Sequence, residues 1–375
     1  MRSVVLVVLL FGCEFSTRTN PDMIDAATID GVSPEGLPLD GPRGDWWDSR
    51  WHVRYLVSID TSKLAGPVAE FPVLLRLRSA EIDHTQLGAM GASIRIVSTD
   101  HVTVFAHELD SLAATPTGTS FVWVKLSLDP LMATQVYLYA DNPQASSSSS
   151  GAAVFGSFTS VHHLGTNGLV DATGHGHTAT STGQAVPGST TTNVGTASTF
   201  DGGDHLELPN ENDFDFTNAM SFSAWARIAD FDVEYQTIIS KGDTAWRAQR
   251  AAGTRAAQFG TNDPGLNLDG ARLVDDNTWH HVAITFDGTT KRLFVDGVAD
   301  GTQSAGTIQT NAFAVRIGMN QEAGMLGRPG GLRYWDGALD EIRIRATNQV
   351  AAWFRAEFVT VSDPAFVTIG AGESY

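Results

Sequence analysis

The amino-acid sequence predicts an all-β protein built from two β-sandwich domains. Short alternations of apolar and polar residues recur along the chain, each bounded by Gly, Pro, Asp or Asn, which is typical of half-buried strands. A serine-rich segment at residues 144–153 separates a first patterned region, residues 46–143, from a second, residues 154–375. Only 18% of the residues are charged, which excludes a coiled coil.

The charge and the cysteine count exclude further classes of protein. The 375 residues carry a formal net charge of −18, so most of the surface would repel a phosphate backbone, and nucleic acid is not an expected partner. The single cysteine cannot form an internal disulfide, and metal sites built on several thiolates are excluded with it.

Residues 1–13 have the pattern of a short export signal. An apolar run, Val4 to Phe11, follows Arg2 and ends at Gly12-Cys13. As a helix it would cover only ~14 Å, less than the ~30 Å of a bilayer core. The segment resembles a bacterial lipoprotein signal, which implies lipidation of Cys13 and, with Glu14 next, an outer-membrane anchor. Secretion after ordinary cleavage is the alternative.

Residues 14–45 are acidic and rich in Pro and Gly, without strand or helix periodicity, so a flexible tether is expected.

The first patterned region then opens with three tryptophans, Trp46, Trp47 and Trp51. They could stack on sugar rings, but tryptophans clustered in this way more often serve as core or interface anchors, and that is the favoured interpretation. Strands are predicted at 53–59, 71–77, 93–98, 102–108, 120–125 and 135–140. The aromatic opening, the strand at 71–75 and the closing residues 136–139 resemble the bacterial domain of unknown function 2341.

The second region contains a clear hairpin. Val282, Ile284 and Phe286 alternate with polar or small residues, and a return strand ends at Asp296-Gly297, a tight-turn signal. Further strands are predicted around residues 221–227, 237–242, 314–318 and 337–344.

Five short motifs occur here in a fixed order. They are Phe-Asp-Gly with a following acid at 200–204, Ser-x-Trp at 223–225, Ser-Lys-Gly at 240–242, Trp-His-His at 279–281 and Asp-Glu-x-Arg at 340–343. Together they resemble the laminin-G-like, concanavalin A-like jelly roll of the lectin and glucanase superfamily. The resemblance implies a second domain of that fold over residues 154–375.

The sequence gives no signature of a catalytic site. Asp340 and Glu341 are adjacent, so in a strand they would face opposite sides, and no serine lies in a Gly-x-Ser-x-Gly elbow. The Glu-x-Asp-x-x-Glu motif of glycosidases that share this jelly roll is absent. We therefore expect a non-catalytic protein, with a hydrolase as the less favoured alternative.

Calcium is the expected cofactor, because acidic loops supply the oxygen ligands it prefers. The resemblance implies a structural calcium ion held by Asp171, Asp201 and Asp340. Capping of turns by the same aspartates is the alternative.

For a ligand, the resemblance implies aromatic platforms with nearby amides. Trp246 and Trp335 are the candidate platforms, with Asn262 and Asn320 as hydrogen-bonding neighbours, and packing at the sandwich edge is the alternative for both tryptophans. The predicted function is binding of a polysaccharide or glycoprotein at the cell surface. An envelope structural or protein-interaction module is the alternative. The sequence predicts no oligomeric state.

Overall fold

The strands of the first sandwich come from both ends of the chain. The structure is a computed structural model that describes residues 45–113, 118–166, 168–183, 185–262 and 266–375. The strands of this sandwich are β1 (Val53–Ile59), β2 (Val68–Arg78), β3 (Arg95–Ser98), β4 (Val104–Phe105), β5 (His107–Ser111), β6 (Thr119–Leu128), β7 (Thr134–Ala140) and the last strand of the chain, β23 (Val367–Ser374).

The second sandwich consists of the strands that lie between β7 and β23 in the sequence. Its strands are β8 (Ser160–His162), β9 (Thr180–Thr182), β10 (Val186–Thr192), β11 (Gly195–Asp201), β12 (His205–Leu208), β13 (Met220–Arg227), β14 (Thr237–Ser240), β15 (Trp246–Arg250), β16 (Ala256–Thr261), β17 (Leu266–Leu273), β18 (His280–Phe286), β19 (Thr290–Val295), β20 (Val298–Ser304), β21 (Val315–Ile317) and β22 (Asp336–Arg345). The described part of the chain also contains three α-helices. They are α1 (Gly151–Phe155), α2 (Gln321–Met325) and α3 (Ala351–Ser362). Single turns of 3-10 helix lie at Thr61–Lys63, His84–Leu87, Ala89–Gly91 and Glu211–Phe214.

Two antiparallel sheets form the first sandwich, in the strand orders β23-β1-β7-β3-β4 and β2-β6-β5. The predicted alternation in β1 is confirmed, because Val53, Tyr55, Val57 and Ile59 are all buried. Strand β7 alternates in the same way, with Val136, Leu138 and Ala140 in the core. The polar residues of these two strands therefore lie on the outer face of the five-stranded sheet.

The second sandwich pairs an eight-stranded sheet with a seven-stranded sheet. The eight-stranded sheet runs β10-β11-β22-β13-β18-β19-β20, with β8 paired to β22, and the seven-stranded sheet runs β17-β16-β15-β14-β21-β12-β9. The predicted hairpin of β18 and β19 is confirmed, with Val282 opposite Val295. The predicted turn at Asp296-Gly297 then joins β19 to β20, with Val295 paired to Val298, and both turn residues have positive φ angles, 54° and 70°. Such a turn suits Asp-Gly and matches the twist of the flanking strands. The predicted all-β fold of two sandwiches is confirmed.

Helix α3 lies between the two sandwiches. Its Trp353 packs on Phe71 of β2, with ring centroids 5.0 Å apart, while Phe354 packs on Phe294 of β19 at 4.9 Å. The backbone N–H of Leu74 donates to the Thr360 hydroxyl at 2.9 Å. The outer face of the eight-stranded sheet is therefore covered by α3 and by the first sandwich.

The end of the second domain differs from the predicted boundary at residue 375. Strand β23 pairs antiparallel with β1, Val53 opposite Ser374 and Ile59 opposite Val367, so the last strand belongs to the first sandwich. The physical reason is that β1 would otherwise be an unpaired edge strand. The chain thus leaves the first sandwich, forms the second and returns.

The serine-rich segment connects the two sandwiches and is held by hydrogen bonds. The Ser149 hydroxyl accepts from the N–H of Leu109 at 2.8 Å, and the N–H of Ser150 donates to the His107 carbonyl at 2.9 Å. The Ser150 hydroxyl also accepts from Ala153 and so caps α1. The described residues from Asp45 to Tyr375 belong to one compact unit. Among the described residues, no helix has the length and apolar character needed to cross a bilayer.

Candidate functional site

The two tryptophans predicted as ligand platforms are core residues. Trp246 is 0% exposed and Trp335 is 1% exposed, and both belong to the core of the second sandwich. The Trp246 indole donates to the Phe214 carbonyl at 3.0 Å. The predicted exposure of these two side chains is therefore wrong, and neither ring is available for stacking on a ligand. Trp246 points inward together with Ala248, because side chains alternate along β15.

The two asparagines have structural partners. Asn320 is 0% exposed; its amide donates to Asp243 Oδ1 at 2.7 Å and its Oδ1 accepts from Ala323, which caps α2. Asn262 donates to the Thr307 carbonyl and accepts from the N–H of Gln309, both at 2.7 Å. The structure thus does not bring the four predicted ligand residues together at one open surface.

The three aspartates predicted to bind calcium lie apart. Asp171 is buried, and its carboxylate accepts from Thr173, Val161 and His177. Burial alone would raise the pKa of Asp171, but these hydrogen bonds hold it below its ordinary value. Asp201 is exposed at a strand end, opposite Asp336.

Asp340 is 0% exposed, and its Oδ1 accepts from the N–H of Glu341. Within the described ranges, no group of three or more His, Cys, Asp or Glu side chains is arranged to hold a metal ion. The described residues thus do not form the expected calcium site, and the ion remains a prediction from the resemblance.

The outer face of the seven-stranded sheet carries a closed polar network. Asp243, 1% exposed, lies 2.8 Å from Arg333 Nη1 and 3.3 Å from Arg247 Nε. Across β15 and β16, the Gln249 amide donates to Gln258 at 2.6 Å. Burial lowers the pKa of Arg247 to about 10. These groups are buried and bond mainly to one another, so this face offers few groups to a ligand.

The outer face of the five-stranded sheet carries a different surface. Arg54 lies on β1 opposite Tyr139 of β7, because their neighbours Val53, Tyr55 and Leu138 fill the core. We define the aromatic surface as six neighbouring side chains that contact one another through their rings or through the Arg54 guanidinium: Trp46, Trp47, Arg54, His101, Tyr137 and Tyr139.

The Arg54 guanidinium lies between two rings of this surface. Its carbon is 4.6 Å from the ring centroid of Trp46 and 4.3 Å from that of Tyr137. Its Nε donates to Glu373 of β23 at 2.8 Å. The cation is therefore fixed in position by two strands from opposite ends of the chain.

The remaining members present ring faces and edges. His101 stacks on Tyr137 with ring centroids 5.5 Å apart and planes 14° apart, and Trp46 meets Tyr139 edge-on at 5.4 Å. The Tyr139 hydroxyl accepts from the N–H of Trp47 at 3.1 Å. Trp46, Trp47, His101 and Tyr137 are partly exposed, whereas Tyr139 is buried beneath them. The arrangement has accessible aromatic rings beside a fixed guanidinium–carboxylate pair.

Sequence reasoning identified part of this surface. The alternation placed Arg54 opposite the core face, and Tyr137 and Tyr139 stood in the predicted last strand of the region. His101 gave no signal, because its loop position, with a φ of 63°, depends on the turn between β3 and β4. Cys13 lies outside the described residues.

Comparison with known proteins bears on the second sandwich. The Laminin_G_3 family model, described as the concanavalin A-like lectin/glucanases superfamily, matches residues 200–350. The second sandwich is thus a concanavalin A-like jelly roll, as predicted. The comparison with curated protein sequences gives no match.

Three solved structures illustrate the similarity. Domain 4 of AbnA, a GH43 extracellular arabinanase from Geobacillus stearothermophilus, solved with arabinotriose, is 19% identical with a TM-score of 0.41, over 55% of this chain and 98% of that one. The binding domain of Paraclostridial Mosquitocidal Protein 1 is 14% identical with a TM-score of 0.43, over 54% and 52%. The botulinum neurotoxin DC binding domain in complex with SialylT is 13% identical with a TM-score of 0.40, over 55% and 52%. This chain spans about half the length of the two toxin domains.

Proposed function

We propose that the protein is a non-catalytic carbohydrate-binding protein whose ligand lies on the aromatic surface of the first sandwich. The observation that carries this proposal is the combination of partly exposed rings, those of Trp46, Trp47 and Tyr137, with the fixed Arg54–Glu373 pair. Aromatic rings pack against the apolar faces of sugar rings, and charged groups beside them bind hydroxyl groups. Arg54, Tyr137 and Glu373 lie on paired strands, and Trp46 and Trp47 lie in the segment before β1.

The availability of the sheet faces supports this location. In the second sandwich, one outer sheet face is covered by α3 and the first sandwich, and the other is occupied by the network around Asp243. Trp225 on the first of these faces is buried, and on the second the partly exposed Tyr235 ring already lies against Arg333 of the network, 4.5 Å from its guanidinium carbon. This location differs from the expectation in the sequence analysis, which placed the ligand on the jelly roll. Under this proposal the jelly roll supports the first sandwich, and the first sandwich binds the ligand.

A structural or protein-interaction role is the second candidate, and one observation favours it. The interface around α3 uses the surface of the jelly roll to hold another domain, with Trp225 stacked on Phe358 at 5.7 Å. Under this alternative the aromatic surface would contact a protein and show no affinity for glycans.

Lipid anchoring at the cell envelope belongs to the same proposal and rests on the pattern that ends at Cys13. Two or three acyl chains on one cysteine suffice for stable membrane attachment. Labelled palmitate should be incorporated by the wild-type chain in a bacterial host and not by a Cys13→Ala variant. Secretion of both forms without label would support ordinary cleavage instead.

The ligand proposal is tested with a glycan array. The wild-type chain should bind a restricted set of glycans, and Trp47→Ala should lose most of that binding while unfolding at a similar temperature. Val102→Ala, an exposed change on the same sandwich, is the matched control. Absence of glycan binding by the wild type would favour the structural alternative.

A further inference from the structure

A cavity of about 570 Å³ lies where the two sandwiches meet. Strands β5 and β6 of the first sandwich form one side, and the segment after β8 together with the start of β11 forms the other. This volume accommodates a small organic molecule. The site is separate from the aromatic surface, with which it shares no residue.

Most of the charged groups at this cavity are already paired. The His163 ring lies between the two sandwiches, with Nε2 3.2 Å from Glu108 and Nδ1 2.8 Å from Glu341. Glu341 is also 2.9 Å from Arg343. Glu108, Glu341 and His163 thus satisfy one another across the interface.

Asp110 is different, because it is partly exposed in the cavity wall and its carboxylate has no hydrogen bond or ion pair with any described residue. The pairing of β5 with β6 shifts register between Leu109 and Ser111, so Asp110 is the extra residue of a β-bulge. Bulges redirect side chains and are common beside functional sites. An unpaired carboxylate in a partly enclosed space is costly, and a cationic group in the cavity would compensate that cost.

The rest of the lining suits an organic cation better than a metal ion. No described cluster of His, Cys, Asp or Glu supplies three ligands to a metal. Apolar side chains share the wall with Asp110, and hydroxyl groups stand among them. Phe121 and Val194 are the apolar residues that the proposal uses, and Ser111 and Thr196 are among the hydroxyl groups.

We propose that this interdomain cavity binds a small organic ammonium ion, whose charged group pairs with Asp110 and whose apolar body lies against Phe121 and Val194. Because both sandwiches contribute to the walls, binding would also strengthen their association.

The affinity should depend on pH through Asp110. Burial raises the pKa of Asp110 to about 7, with smaller contributions from Glu341 and Glu108 and with His163 opposing the shift. Glu108 lies on the same strand as Asp110, His163 and Glu341 face it from the second sandwich, and the buried Asp340 also interacts with it electrostatically. Asp110 is therefore neutral below pH 7 and ionised above it, whereas a primary ammonium stays charged throughout this range. Affinity should rise between pH 6 and 8.

Calorimetric titration of the full chain with hexylamine tests the proposal, with 1-hexanol as the uncharged analogue. Hexylamine should bind at pH 8, with at least tenfold weaker affinity at pH 5.5 and in Asp110→Asn. Asp232→Asn, the same change at an exposed position, should bind as the wild type does. Tyr137→Ala should also bind normally, which separates this site from the proposed glycan surface.

Three results would overturn the proposal: no binding of hexylamine by the wild type at pH 8, equal affinity of Asp110→Asn, or equal affinity for 1-hexanol. Thermal unfolding of Asp110→Asn shows whether a loss of binding reflects loss of fold. Because removal of an unpaired carboxylate leaves no partner unsatisfied, this variant should unfold at or above the wild-type temperature.

Discussion

The outer sheet faces of the two sandwiches have opposite roles. In the jelly roll, Trp225 and Phe294 lie under α3, and Asp243 is enclosed by arginines on the other sheet. In the first sandwich, the five-stranded sheet leaves Trp47 and Tyr137 partly exposed. The domain that matches a lectin superfamily thus uses its faces for packing, and the other domain keeps an open one.

This difference shows that a match to a known fold identifies the framework of a domain but does not identify its binding surface. Which face stays open depends on the segments that return to cover it, here α3 and β23. The following predictions, from the largest expected effect to the smallest, test the division between closed and open faces.

The largest effect is expected from breaking the packing of α3. Trp353→Ala removes a 5% exposed side chain that contacts Phe71, so the free energy of unfolding should fall by about 3–5 kcal/mol. Urea denaturation measures this loss, and Val350→Ala, an exposed change just before α3, is the control. A loss below about 1 kcal/mol would show that α3 does not join the two sandwiches.

A pH-dependent effect is expected from Glu357 in the same interface. Burial alone would raise its pKa, but His281, 3.4 Å away, and Arg343, 3.5 Å away, lower it to about 2. Because the folded-state pKa is depressed, this stabilisation is present above the ordinary pKa and is lost as the pH falls toward 2.

Glu357→Gln should therefore lower the free energy of unfolding by roughly 3 kcal/mol at pH 7, and the difference from wild type should shrink between about pH 4.5 and 2. Urea titrations at several pH values measure it, with the exposed change Glu234→Gln as control. A constant difference down to pH 2 would contradict the assigned ion pairs.

A smaller effect is expected on the open face. Arg54→Met keeps the aliphatic stem but removes the charge between Trp46 and Tyr137, which should cost about 1 kcal/mol of stability and weaken glycan binding several-fold. Chemical denaturation and glycan titration measure the two effects. Arg272→Met, on the second sandwich, should change neither by much; equal effects of both variants would remove the argument for the aromatic surface.

The smallest effect is expected at Asn262, on the jelly roll. Asn262→Ala loses the hydrogen bonds to Thr307 and from Gln309, so stability should fall by about 1 kcal/mol while glycan affinity stays unchanged. A loss of glycan affinity with unchanged stability would indicate that the ligand site lies on the jelly roll instead.

Local pattern predicted much of this fold. The alternation between His52 and Asp60 predicted β1, and Asp296-Gly297 predicted the turn between β19 and β20. Both features are determined by residues that are close together in the chain, so the sequence of this one protein is enough to predict them.

Long-range features could not be predicted in the same way. Strand β23 pairs with β1 across most of the chain, as the Arg54–Glu373 ion pair shows, and nothing local to residues 367–374 indicates that partner. Helix α3 is buried on several faces and so lacks a simple apolar stripe, although Asp363-Pro364 marked its end. Trp246 could have been placed correctly, since it alternates with Arg247 in the pattern of a strand.

The central claim is that ligand binding belongs to the open face of the first sandwich. Its most direct test compares Tyr137→Ala with Tyr334→Ala, a partly exposed tyrosine of the jelly roll, on the same glycans as the wild type. We expect Tyr137→Ala to lose binding and Tyr334→Ala to retain it. Loss of binding only in Tyr334→Ala would contradict the account.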